Sequence, residues 1–219
     1  ADLEAKVLEA RIKSIGIQNE FKNSQVNLSW NGFRKFKLVS KIKETKDITS
    51  FYLAPHDGNA LPAYLPGQYL TFQLNIPGQI KPIVRCYSLS DSPNHPDRYR
   101  VSIKRVLAPR DTSFAPGLGS NYFHDYLNEN DIVDVKAPSG NFYLDMTKNT
   151  PVVLLAGGVG ITPMLSMLNS ITEMDSKREV WFFLGVRDKT EHVMQEHLEV
   201  VARENEYVNL RIFYSKPAE

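Results

Sequence analysis

The stretch "LLAGGVGITPML", residues 154–165, joins an apolar run directly to three glycines and the start of a helix. The apolar run predicts a strand buried on both faces, and the glycines let a ligand approach the backbone because no Cβ intervenes. Thr162 is expected to cap the helix, with Pro163 at its first position. Free N–H groups and the positive end of the helix dipole would then face the loop. The stretch predicts a phosphate or dinucleotide site; the alternative is a tight turn that only packs helix against strand.

The residues after this loop continue as apolar runs separated by helical patterns. The segments "EVWFFLGV" (179–186) and "VNLRIFY" (208–214) predict two further buried strands. Helices are predicted from Thr162 onward and over residues 190–203. The order strand, helix, strand, helix, strand indicates a parallel, right-handed α/β sheet. We expect this domain to cover residues 149–219.

Six shorter β-rich segments precede the loop and are separated by Pro, Gly, Asn and Asp residues. They favour a closed antiparallel barrel or sandwich over residues 33–148. One short helix, from Ser120 to about Leu127, is expected to interrupt the strands, with Ser120 as its cap. A helix over residues 2–15 and a polar linker are predicted to fill residues 1–32. That segment is interpreted as a solvated terminal helix, the tail of an upstream domain or a membrane-proximal helix.

The composition is that of an ordinary globular protein of 219 residues, and its net charge of +1 indicates no polyanionic partner such as nucleic acid. The single cysteine, Cys86, excludes an internal disulfide and a cysteine-ligated centre made by this chain alone. The five histidines show no HExxH pattern, so no metal site is expected. No apolar run approaches the roughly 20 residues that span a bilayer, and no signal peptide is evident. The expected location is cytoplasmic, with a tether through the N-terminal helix as the alternative.

A second informative stretch is "RCYSLSDSP", residues 85–93, which places a fixed cation, a flat ring and a hydroxyl near the end of a predicted strand. One interpretation is that something anionic and flat lies across Arg85, Tyr87 and Ser88; the other is chance on a solvated edge. Cys86 would point to the opposite face of the strand and is expected to be a buried structural thiol.

The motifs R-x-Y-S and G-G-x-G-I-T-P, in this order on a barrel and an α/β half, resemble the ferredoxin–NADP reductase superfamily. The stretches "PGQYLTF", "SIKRV", "GLGSNYFHDYL" and "APSGNF" occur in the order of that family, and the similarity runs from about Phe33 to the C-terminus. The nearest likeness is to the reductase half of flavohemoglobins and to reductases of iron–sulfur oxygenase systems. The resemblance implies an antiparallel β-barrel flavin domain, an α/β nucleotide domain, FAD rather than FMN, and NADH or NADPH as electron donor.

The resemblance also implies roles for residues near the reacting atoms. Arg85 would hold the flavin pyrophosphate, which suits a bidentate guanidinium. Tyr87 would pack on the isoalloxazine, and Ser88 would hydrogen-bond near the flavin nitrogen that accepts hydride. Thr162 would face both cofactors.

Further flavin contacts are implied for a ring, for strand backbone and for a glycine loop. They fall at Tyr69, at Ser102, Ile103 and Lys104 on the adenine side, and at Gly117, Gly119 and Ser120 for the phosphates. The pyrophosphate and nicotinamide of NAD(P)H are assigned to the second glycine loop, at Gly158, Val159, Gly160, Ile161, Thr162 and Pro163. Contacts to the adenosine ribose are expected from Arg187, Ser215 and Lys216, which leaves the choice between NADH and NADPH open.

The function implied is transfer of electrons from NAD(P)H through FAD to a haem or iron–sulfur protein or domain. The alternative is a flavin-binding docking or regulatory module of a larger protein, not competent alone. The family's nucleotide domain normally continues past a third strand to a Cys-Gly-Pro segment, whereas this sequence stops at "YSKPAE". We therefore expect a C-terminally incomplete nucleotide domain whose natural protein carries more, such as a ferredoxin or haem domain.

Overall fold

The computed structural model describes residues 29–108, 113–174 and 176–216. The helix predicted over residues 2–15 lies outside these ranges. Within them, no helix is long and apolar enough to cross a membrane.

The first half forms a six-stranded antiparallel sheet in the order β4-β3-β6-β1-β2-β5. Its strands are β1 Arg34–Lys43, β2 Ile48–Pro55, β3 Tyr69–Leu74, β4 Ile83–Ser88, β5 Tyr99–Lys104 and β6 Ile132–Ser139. A bridge between Leu89 and Val101 joins the end of β4 to β5. The two edge strands therefore meet, and the sheet curls towards the barrel that the sequence predicts.

Alternation of side chains explains why these segments become strands around one core. In β3, Leu70, Phe72 and Leu74 are buried, while the residues between them are half-exposed. The aromatic rings of Phe51 and Phe72 meet Phe123 edge-to-face at 5.2 and 5.1 Å. This cluster is the centre of the first hydrophobic core.

The short helix differs from the prediction at its start. Helix α1 spans Leu118–Asn121 and continues as a π-helical turn over Tyr122–Tyr126. Ser120 is not its cap. The Ser120 hydroxyl donates to the carbonyl of Gly117 (3.1 Å) and accepts from the N–H of Val106 (3.2 Å), so it ties the helix to the loop after β5.

The second half is the predicted parallel sheet, in the order β7-β8-β9. The strands are β7 Val152–Gly157, β8 Val180–Val186 and β9 Val208–Tyr214, and the helices are α2 Ile161–Glu173 and α3 Gln195–Glu204. Both helices pack in one core with Leu154, Phe182 and Leu184. Residues 190–194, expected to be helical, do not belong to α3. The first two of them end a 3-10 turn over Lys189–Glu191, and the left-handed φ of Met194 (54°) separates that turn from α3.

The expectation of strands buried on both faces is wrong for this sheet. Both helices lie on the face of Leu154, which is 3% exposed, whereas Val153 and Leu155 on the other face are 58% and 65% exposed. Trp181, Phe183 and Phe213 stack along that second face. The apolar run alone could not tell which face the described helices cover.

Candidate functional site

The strand register divides the R-x-Y-S motif between two faces of the first sheet. Arg85 and Tyr87 pair with Phe72 and Leu70 and so share the core-facing side. Ser88 pairs with Tyr69, and Cys86 with Thr71, on the other side. Cys86 therefore points away from Arg85, as expected, but it is exposed rather than buried. The reason is its place on β4, an edge strand whose outer side no described element covers.

Arg85 is an exposed cation on β4. Its guanidinium donates to the carbonyl of Val84 (2.7 Å), and among the described residues it forms no ion pair. The backbone of Gly119 lies directly against it, since a Cβ built on Gly119 would fall 2.8 Å from Arg85 Cγ and 3.1 Å from the Tyr87 hydroxyl. Strand β4 and the start of α1 thus bring Arg85, Tyr87 and Gly119 together.

Tyr87 is held as a rigid platform. Its ring meets Phe72 and Phe123 edge-to-face at 5.8 and 5.3 Å. Burial raises the pKa of Tyr87 to about 12, so the phenol stays protonated at neutral pH. The Tyr69 ring lies on the other side of the strand pair against Gly140, whose φ of 120° only glycine adopts readily and where a Cβ would fall 2.8 Å from the ring.

The three positions expected on the adenine side are already engaged in different ways. The Ser102 hydroxyl is buried and bonds to those of Ser50 (2.7 Å) and Ser90 (2.9 Å). The carbonyl of Ile103 contacts Nε2 of His124 (2.9 Å). Lys104 alone points out of the sheet, towards Glu191 at 3.5 Å.

The second glycine loop is open but starts its helix earlier than predicted. Gly158–Gly160 form a 3-10 turn, Gly158 has a φ of 50°, and a Cβ on Gly158 or Gly160 would meet no atom of the described residues within 4 Å. Because this turn leads straight into α2, the helix begins at Ile161, with Gly160 in the capping position. Thr162 therefore does not cap: it is buried, and its hydroxyl donates to the carbonyl of Val159 (3.2 Å). Pro163 is the third helical residue rather than the first.

The carboxyl edge of the parallel sheet gathers the three expected ribose contacts. The N–H of Ser215 donates to Val186 (3.0 Å) and that of Lys216 to Arg187 (2.8 Å), so the pairing of β8 and β9 continues past their ends. Arg187 and Lys216 therefore lie on adjacent chain segments at one edge.

A cavity of about 220 Å³ separates the two halves at this edge. Its lining is drawn from the turn before β2, the end of β5 and the glycine and β8 loops: Thr45, Lys46, Asp47, Ile48, Lys104, Gly158, Arg187, Thr190 and Glu191. Sequence reasoning missed Lys46, because no local pattern brings a turn between two antiparallel strands against residue 158.

Comparisons with known proteins find a related family for each half of the chain. Residues 35–143 match the oxidoreductase FAD-binding domain family, and residues 154–219 match the oxidoreductase NAD-binding domain family. The chain is 46% identical over 190 residues to a flavohemoprotein of Bacillus thuringiensis subsp. konkukian, covering 87% of this chain and 46% of that protein. A flavohemoprotein of Bordetella pertussis is 43% identical over 189 residues, with 85% and 45% covered. The chain thus spans about half the length of these relatives.

Two solved structures share the fold. The flavohem-like FAD/NAD-binding domain of nitric oxide dioxygenase from Vibrio cholerae gives a TM-score of 0.77 at 29% identity, covering 86% of this chain and 77% of that one. Phthalate dioxygenase reductase gives 0.69 at 31% identity, with 84% and 52% covered.

The fold, the glycine loops and these matches define an FAD-dependent NAD(P)H oxidoreductase unit, in which a flavin domain precedes a nucleotide domain. The chain belongs to the ferredoxin–NADP reductase superfamily. The predicted family, fold class and cofactors, FAD with NADH or NADPH, are confirmed.

Proposed function

We propose that this chain is the reductase module of an electron-transfer system, which takes electrons from NAD(P)H and delivers them to a haem or iron–sulfur protein or domain. In this proposal residues 33–148 bind FAD, residues 149–219 bind the nicotinamide coenzyme, residues 1–32 form an appendage, and the reaction takes place in the cytoplasm. The observation that carries the proposal is Arg85 beside Gly119, without an ion partner among the described residues and next to the half-buried ring of Tyr87.

The residues present suit an FAD that accepts hydride and releases single electrons when bound. Arg85 would bind the pyrophosphate together with the backbone of Gly117, Gly119 and Ser120. The Tyr87 ring would orient the isoalloxazine, because two neighbouring rings fix its plane. The remaining proposed flavin contacts are the Tyr69 ring and the backbone of β5 at Ser102, Ile103 and Lys104. Of these three β5 residues, Lys104 is the most accessible.

On the nucleotide side, the open backbone of Gly158–Gly160 would receive the coenzyme's pyrophosphate at the start of α2. Thr162 would contribute by holding the loop, since its hydroxyl is bound to Val159. Arg187, Ser215 and Lys216 would contact the adenosine ribose. Because two of these are cations, an extra phosphate there is compatible with the site, and both coenzymes should be assayed.

The acceptor is proposed from what the relatives are called. Flavohemoproteins are named for a haem, and phthalate dioxygenase reductase is described as a modular structure for electron transfer from pyridine nucleotides to a 2Fe-2S centre. The test is anaerobic titration of the FAD-loaded chain with NADH and with NADPH, followed by addition of a haem protein or a 2Fe-2S ferredoxin. Bleaching of the flavin and its reoxidation by one acceptor support the proposal. A yellow protein that neither coenzyme reduces would instead indicate a docking or regulatory module.

Replacing Ser88 with alanine should leave FAD bound but slow its reduction by the coenzyme. The Ser88 hydroxyl forms no hydrogen bond within the described residues, and it is assigned to the reacting end of the flavin. Loss of one neutral hydrogen bond is worth about 0.5–1.5 kcal/mol, or about 2- to 12-fold in rate. Stopped-flow reduction measures it, with Ser40→Ala as control because Ser40 is another half-buried strand serine. An unchanged rate for Ser88→Ala removes this residue from the reaction.

A further inference from the structure

A histidine and two carboxylates converge at the end of α2 opposite the glycine loop. Asp91 and His95 lie in the loop between β4 and β5, and Glu173 is the last residue of α2. His95 Nε2 lies 3.8 Å from Asp91 Oδ2 and 4.0 Å from Glu173 Oε1, and the three ligand atoms all fall within 4.8 Å of one another. The two ends of the 13-residue helix are about 18 Å apart at 1.5 Å per residue, so this cluster is separate from the site described above.

The three groups face one another without direct hydrogen bonds. Separations of 3.8 and 4.0 Å exceed the range in which an imidazole N–H bonds to a carboxylate oxygen. The space between them is too wide for a hydrogen bond and suits a small cation.

The other oxygen of each carboxylate is fixed by neighbours. Asp91 Oδ1 accepts from the Asn169 amide (3.1 Å) and lies 3.4 Å from Arg100, while Glu173 Oε2 accepts from the Asn94 amide (3.1 Å). Arg100 therefore approaches Asp91 from the Oδ1 side and leaves Oδ2 free to face His95. Such outer hydrogen bonds orient the ligands of metal sites.

We propose that Asp91, His95 and Glu173 bind a divalent cation of the Zn²⁺ class. One imidazole nitrogen with two carboxylate oxygens is a donor set that zinc accepts, whereas Mg²⁺ and Ca²⁺ prefer oxygen alone. Zinc ligand bonds of about 2.0–2.2 Å place tetrahedral ligand atoms about 3.3–3.6 Å apart. The gaps of 3.8 and 4.0 Å to His95, and a separation of at most 4.8 Å between the two carboxylate oxygens, therefore have to close on binding, which the partly exposed side chains of His95 and Glu173 allow. Water would fill the fourth position.

The charge and the position of the cluster favour a cation. Two carboxylates balance the double charge of the metal, and the C-terminal end of α2 presents the negative end of its dipole. The side chains of Asp91, His95 and Glu173 are 14%, 32% and 37% exposed, so an ion can reach them from solvent. Since Asp91 and His95 belong to the flavin half and Glu173 to the nucleotide half, the metal would link the two halves.

The proposal is tested by calorimetric titration of the full, untagged, FAD-loaded chain with ZnCl₂ in excess Mg²⁺. We expect one zinc per chain, and at least a tenfold loss of affinity in His95→Gln and in Glu173→Gln. His56→Gln is the matched control, because His56 is an exposed histidine just after β2 that does not belong to the cluster. Zinc should also raise the melting temperature of the parent but not that of Glu173→Gln.

Equal zinc affinity in the parent, His95→Gln and Glu173→Gln overturns the proposal, as does absence of binding by the parent. A loss in His56→Gln as large as in His95→Gln also overturns it, because binding would then be spread over surface histidines. Melting curves without zinc show whether each variant folds. If His95→Gln does not, Glu173→Gln decides alone, since Glu173 is exposed at the end of α2 and glutamine keeps the shape of its side chain.

Discussion

Alanine at position 85 is expected to weaken FAD binding by about 10- to 150-fold. This range follows from the roughly 1.5–3 kcal/mol that a hydrogen bond to a charged group contributes. Arg85 should contribute near the top of this range, because it has no ion pair to break among the described residues before it binds phosphate. Its stem already lies against the backbone of Gly119, so little side-chain entropy remains to be lost on binding. The dissociation constant of FAD, measured by fluorescence quenching on the apoprotein, checks this result.

Two variants separate the geometry of Arg85 from its charge. Arg98→Ala removes the same charge from an exposed site beside Asp97 and should leave the dissociation constant of FAD unchanged. Arg85→Lys keeps the charge but loses the planar fork, and its affinity should fall between those of the parent and Arg85→Ala. Equal FAD affinity in Arg85→Ala and Arg98→Ala would show that the pyrophosphate is bound elsewhere.

The sequence predicted the elements whose signal is local. Leu70, Phe72 and Leu74 alternate with polar residues, and the three apolar runs of the second half flank helical patterns, so the strands and their parallel or antiparallel class could be inferred. The position of the glycine loop between a strand and a helix could be predicted for the same reason, because strand, turn and helix follow one another within the twelve residues 154–165.

The features that could not be predicted from the sequence depend on contacts between segments that are distant in the chain or on competition between local structures. Cys86 is exposed because β4 is an edge strand, and the order of strands is a property of the whole sheet. The early start of α2 follows from a 3-10 turn that competes with side-chain capping by Thr162. A metal motif in the sequence is defined by short spacings along the chain, and none is present here. Glu173 and Asn94, in contrast, are hydrogen-bonded although 79 residues separate them in the sequence.

Gly67→Ala is expected to lower the free energy of unfolding by about 2–5 kcal/mol, which is the largest stability effect we predict. Gly67 has a φ of 110°, and the left-handed region costs a residue with a Cβ about 1–2 kcal/mol. The new Cβ would also fall 2.6 Å from Met167 Cε and 2.6 Å from the carbonyl oxygen of Phe142. The methionine end can move, but the backbone oxygen cannot, and overpacking adds about 1–3 kcal/mol.

The position of Gly67 makes this a test of how the two halves are joined. Met167 belongs to α2, which carries the second glycine loop at its start, whereas Gly67 lies just before β3 of the flavin sheet. Gly78→Ala is the matched control, because Gly78 has a φ of 81° but, in the part of the chain that the structure describes, no atom lies within 4 Å of its added Cβ, so this variant carries only the backbone strain. Urea unfolding should therefore give a larger loss for Gly67→Ala than for Gly78→Ala, and equal losses would contradict the proposed clash. Because the Met167 side chain that must yield to the new Cβ belongs to α2, hydride transfer in Gly67→Ala should also slow relative to Gly78→Ala, since small displacements of donor from acceptor reduce the rate strongly.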